Sequence, residues 1–219
     1  MQDQTAQIEW REGGVPVSLR FHDPYFSLEN GMAETAHVFL GGNDLPARFC
    51  DGFHVAELGF GTGLNFSVAL QAFRACGCGG VLHFTSFEAY PMAIGDLQAA
   101  LRAFDGLPDD LAQVTAFPTR LEGADFVLTV IHGDARATLP AWQGRADAWF
   151  LDGFSPAKNP ELWSPALMCA VATHTVPNGT AATYTAAGFV RRGLAEAGFD
   201  VARVQGYGRK RHMTRAVLP

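Results

Sequence analysis

From His54 onward the sequence repeats one pattern, a short apolar run of strand length followed by a stretch with helical spacing. Strand candidates lie at 54–59, 82–88, 126–132, 147–151, 179–185, 199–204 and 212–218, and helix candidates at 64–75, 91–104, 135–142, 165–176 and 187–197. Strands apolar along their whole length, alternating with helices, predict a mainly parallel α/β sheet covered on both faces. The last two strand candidates are joined only by a short connection containing Gly206-Tyr207-Gly208. A crossover helix does not fit there, so the closing pair is expected to be antiparallel.

A seven-stranded, mostly parallel sheet with an antiparallel last strand resembles the ground plan of the Rossmann-like class I methyltransferases. Ahead of it, residues 8–20 read as a β-hairpin around Glu12-Gly13-Gly14, with Pro16 suited to an edge strand. A turn-rich F-H-D-P-Y-F-S follows, and Asn30-Gly31 then opens a short amphipathic stretch to Leu40. The expectation is one domain over 1–219, with residues 1–50 an appendage on a core at 51–219. A chain of 219 residues, 48% of them hydrophobic, can bury one substantial core. It has no apolar run of about 18 residues, so no membrane span is expected. The polar start has no signal-peptide pattern, and Cys50, Cys76, Cys78 and Cys169 match no zinc spacing. A cytoplasmic protein with reduced thiols and no metal is the reading.

The first strand ends in E-L-G-F-G-T-G-L-N-F, Glu57 to Phe66. Gly59, Gly61 and Gly63 permit a tight turn and close approach of a ligand at a helix start, a signal shared by dinucleotide and S-adenosylmethionine sites. Two details favour S-adenosylmethionine. Glu57 would attract the amino group of its methionine part and repel a pyrophosphate. Glu88, ending the second strand, stands where an acid accepts hydrogen bonds from ribose hydroxyls. Asp134, after the third strand, suits the adenine amino group, although the A-R-A-T-L behind it also makes it a helix N-cap.

The stretch A-W-F-L-D-G-F-S-P-A-K-N-P, Ala148 to Pro160, puts a carboxylate at the C-terminal tip of a buried strand, before a loop stiffened by Pro156 and Pro160. Asp152 either opens a turn or serves the chemistry. Beside the first strand, it would face a methyl donor. D-G-F-S-P is similar to the D-P-P-Y loops of amino-methylating enzymes, with Asp152 orienting an amine and Phe154 packing on a base. An aliphatic amine titrates near roughly 10, so a carboxylate that orients it and helps remove its proton is useful, and no metal or covalent nucleophile is needed.

Longer strings make the resemblance specific. Y-F-S, N-G-M-A-E-T, V-F-L-G-G-N, the glycine turn, S-F-E, A-W-F-L-D-G-F-S-P-A-K-N-P-E-L-W, T-Y-T-A-A-G-F-V-R-R-G-L-A-E-A-G-F and G-Y-G-R-K-R-H-M run in order through nearly the whole chain. They resemble the methyltransferase part of the MnmC-type tRNA 5-methylaminomethyl-2-thiouridine biosynthesis family. The resemblance implies methyl transfer from S-adenosylmethionine to the 5-aminomethyl group of a wobble uridine. It implies a cofactor site of Tyr25, Asn30, Glu57, Gly59, Gly61, Gly63, Asn65, Glu88, Asp134 and Asp152, with Asp152 and Phe154 catalytic. Many relatives carry a fused FAD-dependent oxidase. This sequence has no second dinucleotide motif and looks like the stand-alone form, or that half of a longer protein, its amine supplied by a separate oxidase or aminomethylation enzyme.

Net charge is −6, yet residues 189–219 carry +5 and the remainder −11. Lys158, Arg191, Arg192, Arg209, Lys210 and Arg211 are therefore expected to meet the phosphates of a tRNA anticodon stem-loop. The competing readings are an amine methyltransferase acting on a protein or small molecule, a catalytically silent nucleotide-binding module, and a nicotinamide oxidoreductase.

Overall fold

In the computed structural model, which describes residues 5–27 and 30–219, an antiparallel sheet β1-β2-β3 comes first. Its strands are β1 (Ile8–Arg11), β2 (Val15–Ser18) and β3 (Asp23–Pro24). The hairpin is the expected one, but Pro16 lies in the middle strand rather than at an edge. Its carbonyl accepts from Tyr25 N at 3.0 Å. With no N–H to return, the pairing stops at Pro24. α1 (Gly31–Thr35) then runs into a π-helical turn, Ala36–Leu40, and a 3-10 turn, Gly41–Asn43.

The alternating region builds one large sheet. In chain order its elements are β4 (His54–Leu58), α2 (Leu64–Cys76), β5 (Leu82–Glu88), α3 (Ile94–Leu101), β6 (Arg120–Glu122) and β7 (Phe126–His132). There follow α4 (Ala135–Ala141), β8 (Ala146–Leu151), α5 (Pro165–Thr173), β9 (Thr175–Thr183), α6 (Gly188–Glu196), β10 (Asp200–Gln205) and β11 (His212–Val217). The strand order is β10-β11-β9-β8-β4-β5-β7-β6. The inner pairs β9–β8, β8–β4, β4–β5 and β5–β7 are parallel, and β11 runs antiparallel between β9 and β10.

Eight strands replace the seven expected. The extra one, β6, pairs antiparallel with the edge of β7 through only Arg120, Leu121 and Glu122. Three residues with exposed ends carry no periodic signal.

Side chains alternate across the sheet, as β8 illustrates: Ala148 and Phe150 enter one core with Phe66, Phe84 and Leu70, while Trp149 and Leu151 enter the other with Leu58, Met168 and Leu194. Phe66, Phe87, Trp149 and Trp163 are all buried. Fully burying one such side chain contributes about 1.5–3 kcal/mol. This double cover fixes the strands, and with them the height at which β4, β5, β7, β8 and β9 present their C-terminal tips. Among the described residues no helix is long and apolar enough to cross a membrane.

Candidate active site

The tips of β4, β5 and β8 open into a cleft of about 1390 Å³, larger than the roughly 300–1,000 Å³ that suffices for one small ligand. After β4 the backbone turns through Gly59, Gly61 and Gly63 at φ of +91°, +53° and +75°. Gly59 N donates to Phe87 O at 2.9 Å, tying the turn to β5. A Cβ on Gly59 would stand 2.9 Å from the Asp152 carbonyl oxygen, so this turn and the loop after β8 touch backbone to backbone.

Glu88, at the tip of β5, accepts from Gly61 N at 2.9 Å and Tyr90 N at 2.7 Å. It is nearly buried, and burial pushes its carboxyl up. Asp134 lines the cleft and also caps α4, accepting from Arg136 N at 2.9 Å. Its ion pair with Arg136 holds its carboxyl below the usual range. The N-cap reading of this residue describes its position on α4.

Asn65 joins two carboxylates. Its Nδ2 donates to Glu57 Oε1 at 2.8 Å and to Asp152 Oδ2 at 2.6 Å, and its Oδ1 accepts from Thr35 Oγ1 at 2.9 Å. Glu57 is fully buried, also accepts from Ser86 Oγ at 2.7 Å, and does not line the cleft. Burial drives its carboxyl well up. Its reach into the cleft runs through Asn65. Asp152 does line the cleft, and its carboxyl is pushed up to about 7, chiefly by burial, against the Asn65 hydrogen bond and the Lys210 charge.

Phe154 is set between two rings, stacked on Phe21 with centroids 4.7 Å apart and edge-on to Tyr25 at 5.1 Å. Tyr25 also lies against Gly61, where a Cβ would meet its ring at 3.1 Å. Burial, reinforced by Glu88, raises its phenol. Asn30 and Gly63 are not among the lining residues. Asn30 accepts from Ala33 N at 2.9 Å and caps α1.

Three residues central to this geometry carry no expectation from the sequence: Asp23, Glu34 and Tyr184. Asp23 accepts from Ser155 N at 2.9 Å and Lys158 Nζ at 2.7 Å, fastening the loop after β8 to the N-terminal sheet. Tyr184, just past β9, donates from its hydroxyl to Gly153 O at 2.8 Å. Glu34 pairs with Lys210 at 2.6 Å. The strand-tip rule points to Tyr184. For Asp23 and Glu34 the only signal is a lone acid in F-H-D-P-Y and in N-G-M-A-E-T.

The predicted nucleic-acid cations therefore separate. Lys158, Arg209 and Lys210 line the cleft, and Lys158 and Lys210 hold carboxylates of the protein itself. Arg191, Arg192 and Arg211 lie outside it, the last two exposed. His212 is pushed down by loss of solvent and then by the charges of Arg203, Arg211 and Arg191. Among the described residues no group of three or more His, Cys, Asp or Glu side chains is arranged to hold a metal ion.

A family model described as S-adenosyl-L-methionine-dependent methyltransferase matches residues 97–219. The chain is 45% identical, over 230 aligned positions, to the tRNA 5-methylaminomethyl-2-thiouridine biosynthesis bifunctional protein MnmC of Stutzerimonas stutzeri, covering 98% of this chain and 35% of that protein. The Pseudomonas aeruginosa protein of the same name is 47% identical over 225 positions, covering 96% and 34%. The chain thus spans about a third of the length of the curated relatives it matches. Among solved structures, MnmC2 from Aquifex aeolicus aligns at a TM-score of 0.75 and 25% identity, covering 99% of this chain and 72% of that one. CalS10, an amino pentose methyltransferase with S-adenosylmethionine bound, aligns at 0.52 with 14% identity, covering 86% and 91%, a likeness of fold alone.

Proposed function

Because this chain belongs to the S-adenosyl-L-methionine-dependent methyltransferase family, we propose that it methylates the 5-aminomethyl nitrogen of wobble (2-thio)uridine in tRNA, giving 5-methylaminomethyl-(2-thio)uridine. One observation carries this reading. A carboxylate poised near neutrality, Asp152, stands at the tip of β8 in the cleft shared with the glycine turn of β4. The 45–47% identity to proteins named for this modification supports the nucleoside assignment.

The residues present fit S-adenosylmethionine. The backbone at Gly59 and Gly61 leaves no room for side chains, and Glu88, Asp134 and Asn65 offer polar groups along one wall. In this reading Glu88 accepts from the ribose hydroxyls, Asp134 lies toward the adenine amino group, and Asn65 lies toward the amino acid end with Glu57 behind it. Bound there, the molecule supplies an electrophilic methyl group on a sulfonium.

The chain's own residues do the remaining work. A primary alkylamine arrives protonated at neutral pH, since its pKa is near roughly 10. Asp152 accepts a hydrogen bond from that nitrogen and takes its proton on Oδ, a transfer eased by a carboxyl pushed up to about 7. Walls that exclude water favour the neutral amine. The Phe154 ring, already held by Phe21 and Tyr25, offers a flat face to the base without having to be ordered first. Holding both reactants in place accounts for about 7–11 kcal/mol of barrier lowering.

The deciding experiment incubates the protein with labelled donor and tRNA bearing 5-aminomethyl wobble uridine, then analyses the hydrolysate by mass. Label on that nucleoside is the expected result; its absence sinks the assignment.

Two variants probe the supporting residues. Asp23→Ala frees Ser155 N and leaves Lys158 with only the His22 carbonyl, so kcat falls about 10- to 100-fold through misplacement of Asp152. Donor affinity, read by calorimetry, stays unchanged; a drop in donor affinity with kcat intact would contradict the clamp. The pair Arg192→Ala and Arg211→Ala weakens tRNA binding and flattens the slope of log K against log[salt] by about one unit for each phosphate no longer neutralised. Filter binding across a range of salt concentrations measures this, and an unaltered slope rules out a role for these two arginines at the phosphates.

A further inference from the structure

One alkylammonium group already sits on the acceptor side of the cleft. Lys210 enters from the turn between β10 and β11, and its Nζ donates to Glu34 Oε1 at 2.6 Å. The same nitrogen lies 4.2 Å from the centroid of the Tyr184 ring. Tyr184 is anchored by its hydroxyl to Gly153 O at 2.8 Å, on the residue next to Asp152. The carboxylate is sheltered, with the Glu34 side chain 14% exposed, whereas the Lys210 side chain is 47% exposed. A fixed carboxylate and an aromatic face converging on one nitrogen form a receptor for an organic cation. Its occupant is tethered from the rim.

The acceptor proposed above presents the same chemical group, a primary amine on a methylene, protonated in water for the reason a lysine is. We propose that Glu34 and the Tyr184 ring receive the acceptor's ammonium group, and that Lys210 holds their place until the acceptor displaces it. The inference rests on the amine reading of the function. Glu34 selects the acceptor while it is still a cation, and Asp152 then takes the proton. An acceptor carrying a carboxylate beside its nitrogen is turned away by Glu34, because like charges at close range are unfavourable in a poorly solvated cleft. Lys210, once displaced, stands free beside the incoming nucleic acid.

A tethered competitor acts at an effective concentration of about millimolar or more, so its removal should tighten binding of a free amine. The probe is n-butylammonium, titrated by NMR into the wild type, Lys210→Ala and the double variant Lys210→Ala/Glu34→Gln. Binding at least about fivefold tighter in Lys210→Ala, with the gain abolished by Glu34→Gln, is expected. Equal affinity in all three proteins overturns the receptor. Lys210→Gln, which keeps the stem and loses the charge, replaces Lys210→Ala if that variant melts early, and unchanged S-adenosylhomocysteine affinity checks each fold. Because the probe is not methylated tRNA, the two readings fail separately. A wild type that leaves tRNA unlabelled overturns the function whatever the amine ratios, and equal ratios overturn the receptor whatever the tRNA label.

Discussion

Asp152→Ala lowers the rate of methyl transfer by about 10²- to 10⁴-fold, the range expected on losing a positioned proton acceptor, and leaves donor binding in place. The proposed donor wall survives because Asn65 keeps its bonds to Glu57 and Thr35 when Asp152 is removed. Single-turnover transfer from labelled donor reads the first effect, and calorimetry with S-adenosylhomocysteine the second. A variant with full turnover would move the acceptor site elsewhere. The carboxyl also leaves a mark on stability. Its folded pKa, about 7, lies above the ordinary 3.8. The stability it contributes is therefore present at low pH and lost as the pH rises through about 7. Asp152→Asn removes that loss, so the Tm of this variant relative to wild type should climb as the pH is raised from mildly acidic to mildly alkaline. A Tm difference that stays flat with pH would place the carboxyl in a more watery setting.

Gly59→Ala is expected to be strongly destabilising, because it combines an unfavourable φ with a clash against backbone. Gly59 sits at φ +91°, which a side-chain-bearing residue adopts at a cost of about 1–2 kcal/mol. The added Cβ would lie 2.9 Å from the Asp152 carbonyl, a backbone atom that no rotamer can move aside. Strain of this kind adds about 1–3 kcal/mol, for a total of about 2–5 kcal/mol. In a chain of this size that is a Tm lower by about 4–20 °C. Relief by shifting the loop would displace Asp152, so kcat falls as well. Gly52→Ala is the control, because Gly52 has a similar φ of +77° with nothing within 4 Å of a Cβ. Scanning calorimetry on both variants separates the backbone cost from the contact. Equal losses would mean the two loops are not pressed together.

What could be read in advance was whatever the chain encodes locally. β5 and β7 begin and end where their apolar runs do, and Glu88 and Asp152 end their runs at strand tips, so a parallel sheet brings them to one cleft. Interactions between distant segments leave no such trace. Asp23 binds Ser155 across 132 residues and Glu34 binds Lys210 across 176; Asp23 lies in no periodic pattern, and the amphipathic stretch that holds Glu34 says nothing of its partner. For the same reason Lys158 and Lys210 look like free surface cations until their carboxylates are found. Glu57 marks a different limit. Its charge suggested a direct ligand contact, but charge says nothing of depth, and the side chain lies wholly beneath Asn65. β6 was invisible because a three-residue edge strand is held by its neighbour rather than by any preference of its own.

The cleft's two walls have separate origins. One is made by the sheet itself, from the turn after β4 and the tips of β5 and β7, and cannot change without disturbing the core. The opposite wall comes from pieces that contribute little to that core: β3, α1 and the turn between β10 and β11. In the proposed reading the acceptor meets that second wall, so exchanging those pieces would alter which molecule is modified and spare the sheet-borne wall. A graft of all three onto another protein of this architecture should carry its preference along, making target choice a transplantable property here.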